Sequence, residues 1–145
     1  MMKTLLDGLD QLSWSHPATL PNVDRVCTWV IRFLESNSIS REDRFAVEML
    51  LREALTNAVV HGCAENAALM VDGWLRVSND EVLIEVVDGG GGFDWDRATA
   101  EIPEDPTEGG RGMAIYRLYA TSYQFNQEGN RIKFRRTLRK GEEHD

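Results

Sequence analysis

The chain has 145 residues, of which 42% are hydrophobic and 28% charged, a balance that is typical of one globular domain and excludes disorder over the whole length. Its 24 acidic residues outnumber the 16 lysines and arginines and give a formal charge of −8, which argues against nucleic acid or an anionic membrane as a direct partner. We find no secretory signal and no apolar run near the roughly 20 residues that a membrane helix needs, so we expect a cytoplasmic protein. Cys27 and Cys63 form no Cys-x-x-Cys motif, and we expect two buried free thiols.

The first third of the chain predicts one short strand and then a helix. Residues 1–21 are irregular in pattern apart from a strand near residues 11–16. The helix is predicted to begin with Asn22 as its cap and to end near residues 36–38, because apolar residues recur at helical spacing between these points. These residues are Val23, Val26, Cys27, Val30, Ile31 and Leu34.

A second helix is predicted over about residues 42–61. The segment Ser40-Arg41-Glu42-Asp43 resembles a capping box and marks the start of this helix. The helix is apolar on nearly all sides, which predicts that it lies inside the fold. Its apolar residues are Phe45, Val47, Met49, Leu50, Leu51, Ala54, Leu55, Ala58 and Val59.

The second half of the chain predicts strands with one helix between them. In chain order the segments are strands at 69–77 and 82–87, a long mobile loop at 94–109, a helix at 109–119, and hairpin strands at 122–127 and 130–138. The mostly apolar strand 82–87 is predicted to be central in the sheet. We therefore predict a single α+β domain over residues 1–145, with a core at about 15–138 and a frayed tail at 139–145. Its architecture is a two-layer α/β sandwich, with a mainly antiparallel sheet and helices on one face.

The first candidate functional residues lie on the second predicted helix. Glu53 and Asn57 are four residues apart and therefore share one helix face. An asparagine oxygen is a suitable ligand for Mg²⁺ beside phosphates, and a glutamate can accept a proton from a hydroxyl group. Taken alone, this pair also fits a solvated helix face.

Two glycine-rich segments supply the other candidates. Asp88 ends the predicted central strand, where sheets commonly bind ligands, and the four glycines that follow it permit close approach of a ligand. Its carboxylate can accept a hydrogen bond from an exocyclic amine. The segment Gly109-Gly110-Arg111-Gly112 opens the third helix, where free backbone N–H groups and the helix dipole favour phosphate. Taken alone, each segment also fits a turn or a loop-to-helix junction.

In this order and spacing, the three motifs resemble the nucleotide-binding boxes of the GHKL ATPase superfamily. Glu53-x-x-x-Asn57 resembles the N box, Asp88-x-Gly90-x-Gly92-Phe93 resembles the G1 box, and Gly110-x-Gly112 resembles the G2 box. The closest match is to the small anti-sigma-factor serine/threonine kinases. Residues 52–62 resemble their Glu-Ala-x-x-Asn-Ala-x-x-His-Gly signature, and residues 109–113 are similar to their Gly-Gly-Arg-Gly-Leu. The resemblance covers about residues 15–138.

This resemblance implies a Bergerat-type ATP-binding fold and a role for each matched residue. Glu53 would be the general base for phosphoryl transfer, and Asn57 would bind the Mg²⁺ that bridges the phosphates of ATP. Asp88 would accept a hydrogen bond from the adenine amine. The residues implied in ATP binding are Asn57, Asp88, Gly90, Gly92, Phe93, Gly110, Arg111, Gly112 and Met113. Residues 94–109 would form a lid over the phosphates.

The resemblance also implies protein partners. Such a kinase would sequester a sigma factor and phosphorylate a STAS-type anti-sigma-factor antagonist, and these kinases are often homodimers. The chain differs from the family pattern at Thr107-Glu108, where a basic lid residue is frequent, and at Asn130, where a threonine near the adenine is usual. These differences leave a second interpretation open, in which the chain is a nucleotide-gated partner-binding regulator without kinase activity.

Overall fold

The computed structural model describes residues 3–6, 10–89 and 111–139, which form two layers. In chain order the elements are β1 (Lys3–Leu6), β2 (Asp10–Pro17), α1 (Leu20–Ser36), α2 (Arg41–Asn57), β3 (Met70–Val77), β4 (Glu81–Asp88), α3 (Arg111–Tyr119), β5 (Ser122–Phe125) and β6 (Arg131–Thr137). The strands form one sheet in the order β1-β2-β3-β4-β6-β5, and every described pair is antiparallel. Helix α1 packs on β2, α2 packs on β4 and β6, and α3 packs on α2. The predicted α+β sandwich with a mainly antiparallel sheet is therefore confirmed.

The N-terminal segment is more regular than its sequence pattern predicts. Instead of a single short strand, β1 and β2 form an antiparallel pair, and all residues of β2 also pair with β3. Strand β2 buries alternate residues against the helices, namely Leu12, Trp14 and His16. The prediction that Asn22 caps the first helix is wrong. Helix α1 already begins at Leu20, and the side chain of Asn22 instead donates a hydrogen bond back to Thr19 Oγ1 at 2.9 Å.

The second helix begins as predicted. Ser40 Oγ accepts a hydrogen bond from the backbone N–H of Asp43 at 3.2 Å, which is the N-cap contact. Helix α2 then continues into a π-helical turn, Ala58–Gly62, so that the helical path reaches the predicted end. The prediction that this helix is buried on nearly all sides is wrong at Phe45, which is 52% exposed. Phe45 lies in the second turn of α2, where its ring packs edge-on against Tyr119 of α3 with the centroids 5.8 Å apart and is otherwise half exposed.

The remaining predicted strands and the third helix lie where the sequence places them. Strand β4 is central, with β3 and β6 as neighbours, and β5 and β6 form a hairpin whose turn contains Gly129 at a left-handed φ of 79°. The predicted loop at 94–109 and the tail beyond residue 139 lie outside the described residues. In the described part of the chain, no helix has the length and apolarity that crossing a bilayer requires.

Cys27 and Cys63 are buried thiols that form no disulfide with each other, as predicted. Burial raises the pKa of the Cys27 thiol to about 12, so this thiol stays protonated and unreactive at neutral pH.

A buried ion pair fixes the start of α2 to the sheet. Arg136 of β6 donates from Nη2 and Nε to Asp43 Oδ1 at 2.9 and 3.0 Å, and the two side chains are only 14% and 3% exposed. The same guanidinium donates to the backbone oxygen of Tyr119 at 2.8 Å, which ties the end of α3 to this point. Asp43 therefore acts both in the first turn of α2 and as the anion that neutralises a buried cation.

We expect Asp43→Asn to lower the free energy of unfolding by about 3–5 kcal/mol, because it leaves the charge of Arg136 buried without its anion. The matched control is Glu42→Gln, since Glu42 pairs with Arg139 in an exposed contact and should contribute less than about 1 kcal/mol. Urea unfolding of both variants measures the difference. If both variants lose the same free energy of unfolding, the buried pair contributes no more to stability than the exposed pair does.

Candidate functional site

A cleft opens between α2 and the sheet at the carboxyl end of β4. Within the described residues its lining comes from α2 and its π-helical turn, from β4, from α3 and from the β5–β6 hairpin. The lining residues are Ala54, Ala58, Val86, Asp88, Tyr116, Gly129, Asn130, Arg131 and Ile132. The space that these residues enclose is about 10 Å³, which is room for roughly one water molecule. The described residues therefore form the wall of a site and do not by themselves enclose a ligand.

Asp88 lies at the end of β4 and is only 7% exposed. The main chain on both sides of its carboxylate is fixed. Its backbone N–H donates to the oxygen of Asn130 at 2.9 Å, and the next residue, Gly89, donates to the oxygen of Met70 at 2.9 Å. Asn130 Nδ2 also donates to the Asp88 carbonyl oxygen at 3.3 Å. The predicted acceptor for an exocyclic amine thus occupies a rigid position beside the cleft.

Gly62 allows the carboxylate of Asp88 to lie against the helical layer. A methyl group on Gly62 would overlap the carboxyl group of Asp88, with Oδ1 only 2.8 Å from it. Gly62 reaches this point at the end of the π-helical turn, whose wide ring is closed by the hydrogen bond from Cys63 N–H to the Ala58 oxygen at 2.9 Å. The glycine of the His-Gly signature is therefore needed at this position, because there is no room for a side chain beside Asp88.

Asn57 and Glu53 lie on the last turns of α2, next in the chain to the lining residues Ala58 and Ala54. Asn57 Nδ2 donates to the phenolic oxygen of Tyr116 on α3 at 3.0 Å. Tyr116 is fully buried and also lines the cleft. Burial, together with the nearby negative charge of Glu53, raises the pKa of the Tyr116 phenol far above its usual range, so the group stays neutral. Ala54 and Ala58, each next to one of the two polar residues, are the α2 residues that face Asp88 across the cleft.

The third motif is described only in part. Arg111 and Gly112 open α3, as the sequence predicts, and Met113 is buried. The other predicted binding residues, Gly90, Gly92, Phe93 and Gly110, lie outside the described residues, as does the predicted lid. The structure therefore places Asp88 in the lining of the cleft and joins Asn57 to the cleft through Tyr116. Glu53 precedes the lining residue Ala54 in the chain, and the glycines at 90, 92 and 110 lie outside the described residues.

The edge of the cleft is organised by one asparagine of the β5–β6 turn. Asn126 Oδ1 accepts hydrogen bonds from the backbone N–H groups of Gly129, Asn130 and Arg131 at 2.9, 3.1 and 3.1 Å. Its Nδ2 donates to Asn130 Oδ1 at 2.8 Å. Asn130, which stands where threonine is usual, is therefore held by the turn on one side and by the Asp88 main chain on the other.

A family model described as a histidine kinase-like ATPase domain matches residues 16–136. The chain belongs to the histidine kinase-like ATPase family. The match runs from the end of β2 to β6 and thus includes every described element that lines the cleft. As a member of this family the chain is an ATP-binding domain, and the predicted GHKL superfamily is confirmed. No curated protein matches the chain.

Two residues of this ATPase-family site are not indicated by the sequence motifs. Tyr116 belongs to an apolar helix pattern, and only the need of a buried phenol for a hydrogen-bond partner could have drawn attention to it. Asn126 precedes a glycine turn, where an asparagine commonly binds nearby backbone N–H groups. Their partners are distant in sequence or defined by the turn geometry, so neither contact follows from spacing.

We expect Gly62→Ala to weaken ATP binding at least about tenfold, because the new methyl group displaces the carboxylate of Asp88. A matched control in the same segment is Ala64→Gly, since Ala64 is exposed and has a left-handed φ of 52° that suits glycine. Isothermal titration calorimetry measures both affinities. Unchanged affinity in Gly62→Ala would mean that the Asp88 carboxylate is not part of the ATP site.

Proposed function

We propose that this chain is a cytoplasmic ATP-dependent serine/threonine protein kinase of the anti-sigma type, which phosphorylates a STAS-type antagonist and sequesters a sigma factor. The observation that carries the proposal is a histidine kinase-like ATPase domain in which Asp88 lines the cleft and Asn57 bonds to the lining residue Tyr116. Glu53 lies one helical turn before Asn57. These side chains supply the three chemical functions that phosphoryl transfer from ATP needs, namely a base, a metal ligand and an anchor for the nucleotide.

The adenine end of ATP is proposed to enter the cleft beside Asp88. The support is chemical, because a buried carboxylate at a fixed backbone position is a strong acceptor for the exocyclic amine. The apolar walls of Ala58, Val86 and Ile132 suit the faces of a flat base. Adenine is thereby distinguished from guanine, which presents an oxygen at the corresponding ring position.

Asn57 is proposed to hold the Mg²⁺ that accompanies ATP. Mg²⁺ prefers oxygen ligands and shares them with phosphates, so the useful atom of Asn57 is Oδ1. The hydrogen bond to Tyr116 uses Nδ2, and within the described residues no hydrogen bond uses Oδ1. Asn57 therefore presents to Mg²⁺ the kind of oxygen ligand that this ion prefers. When bound, the ion neutralises charge on the phosphates.

Glu53 is proposed to accept the hydroxyl proton of the substrate serine or threonine. In the balanced reaction the hydroxyl oxygen bonds to the γ-phosphorus, the bond from this phosphorus to the bridging oxygen of ADP breaks, and the proton passes to the Glu53 carboxylate. The position of Glu53, one helical turn before the proposed metal ligand, supports this role because both groups must act on the phosphate end of ATP.

A nucleotide-gated regulator without kinase activity is the second candidate function. Thr107-Glu108 in place of a basic lid residue favours it, because an acidic residue near the γ-phosphate opposes the charge that develops during transfer. Both positions lie outside the described residues. Phosphate transfer to a serine or threonine of a purified antagonist distinguishes the two functions.

We expect Glu53→Gln to bind ATP within about twofold of the parent but to transfer phosphate at least about 100 times more slowly, because it retains shape and loses the basic site. Glu48→Gln is the matched control on the same helix, since Glu48 makes a surface pair with Arg52 at 3.6 Å. Radiolabelled ATP and an antagonist protein provide the assay. If the parent protein transfers no phosphate, the result supports the regulator without kinase activity. If the Glu53→Gln variant transfers phosphate at the parent rate, the kinase function stands and only the role of Glu53 as the base is wrong.

We expect Asp88→Asn to weaken both ATP and ADP about 10- to 100-fold, because a charged acceptor for the amine becomes a neutral amide. The control is Asp72→Asn, an exposed carboxylate on β3. Calorimetric titration measures the affinities, and GTP serves as a second ligand. If Asp88→Asn binds ATP as tightly as the parent does, the adenine end of ATP does not contact this carboxylate.

A further inference from the structure

The hydrogen bond between Asn57 and Tyr116 joins two helices that are far apart in the chain. The donor is the side-chain amide at the end of α2, the acceptor is the phenol of α3, and the distance is 3.0 Å. Tyr116 is fully buried, and its ring packs against three aromatic residues of β5 and β6. These are Tyr123, Phe125 and Phe134, with ring centroids 5.6, 6.2 and 4.9 Å away.

This packing determines how the amide of Asn57 is oriented. An asparagine side chain rotates readily about its last bond, and the nitrogen and oxygen of its amide exchange places on a half turn. In the structure the phenolic oxygen, which the three rings hold in place, accepts a hydrogen bond from this nitrogen. The bond therefore keeps Nδ2 on the α3 side, which leaves Oδ1 on the side away from Tyr116.

We propose that Tyr116 is a positioning residue that holds Asn57 with Oδ1 directed at the Mg²⁺ of the bound nucleotide, an inference that rests on the metal role proposed for Asn57. Tyr116 also lines the cleft proposed for the base. One side chain thus lines the cleft proposed for the base and bonds to the proposed metal ligand. Outer hydrogen-bond partners of metal ligands commonly contribute 10- to 100-fold to metal affinity.

The test is the Mg²⁺ dependence of nucleotide binding in Tyr116→Phe, which removes only the phenolic oxygen. We expect the apparent affinity for Mg²⁺ in the ATP complex to fall about tenfold, while ADP binding without metal stays within about twofold of the parent. Calorimetry at a series of Mg²⁺ concentrations measures both values. The spectrum of Mn²⁺ in electron paramagnetic resonance, with Mn²⁺ in place of Mg²⁺, should show a broader range of coordination in the variant.

Tyr123→Phe is the matched control, because Tyr123 packs on Tyr116 in the same aromatic cluster, whereas the hydrogen bond from Asn57 goes to Tyr116. This variant should bind Mg²⁺ as the parent does. A loss of metal-free ADP binding in Tyr116→Phe equal to the loss of Mg²⁺ affinity would overturn the positioning role, since it would indicate damage to the whole cleft.

A double-mutant cycle with Asn57→Ala identifies the route of the effect. If Tyr116 acts through Asn57, adding Tyr116→Phe to Asn57→Ala should cause no further loss of Mg²⁺ affinity. A full additional loss would overturn the inference. If the parent binds nucleotide without any Mg²⁺ dependence, both the metal role of Asn57 and this inference fail. If the parent needs Mg²⁺ and Tyr116→Phe keeps the full dependence, only the inference fails.

Discussion

The close approach of helix α2 to the end of β4 is the constraint on which the site depends. At the far end of the helical segment, no side chain fits between Gly62 and the carboxylate of Asp88. At its start, the buried pair of Asp43 and Arg136 ties the helix to β6. A helix fixed to the sheet at both ends cannot slide along it or lift from it. Glu53, which lies between these two points, therefore keeps a constant relation to the sheet.

The site is assembled from segments that are distant in the sequence. The Asn57 and Tyr116 side chains meet across 59 positions, and Asn130 reaches the main chain of Asp88 across 42 positions. The central sheet makes these contacts possible, because antiparallel pairing of β4 with β6 places the turn before β6 next to the end of β4. The cleft therefore forms only when β4 has paired with β6.

The sequence predicts those parts of the fold that depend on local pattern. Helix α2 and strand β4 follow from apolar spacing, and Asp88 lies in the lining of the cleft. The roles of Glu53, Asn57 and Asp88 in ATP binding and transfer stay predictions. Strand β1 is not predicted, because its four residues show no alternation of apolar and polar side chains, even though the dipeptide Asp7-Gly8 that follows it is typical of hairpin turns. The cap at Asn22 is wrong since the proline before it already suits the first turn of the helix.

Other features of the site depend on tertiary contacts that no local pattern contains. The π-helical turn after Asn57 has the apolar spacing of an ordinary helix end, and its shape is decided by the contact of Gly62 with Asp88. The partner of Tyr116 likewise depends on how α3 packs against α2. The phosphate end of the site cannot be compared with the prediction, because the glycines at 90–92 and 109–110 lie outside the described residues.

The bonding of Asn126 has a consequence for the entropy of ligand binding. Because three backbone N–H groups of the β5–β6 turn converge on this one side chain, the turn loses its conformational freedom when the domain folds. A ligand that enters the cleft meets an edge that is already ordered, and its association carries no further entropic cost there. Asn126 is not among the residues that line the cleft, and it contributes to ligand affinity by ordering the protein before the ligand binds. Evolution or design can adjust the strength of nucleotide binding at Asn126 while every contact with the ligand stays the same.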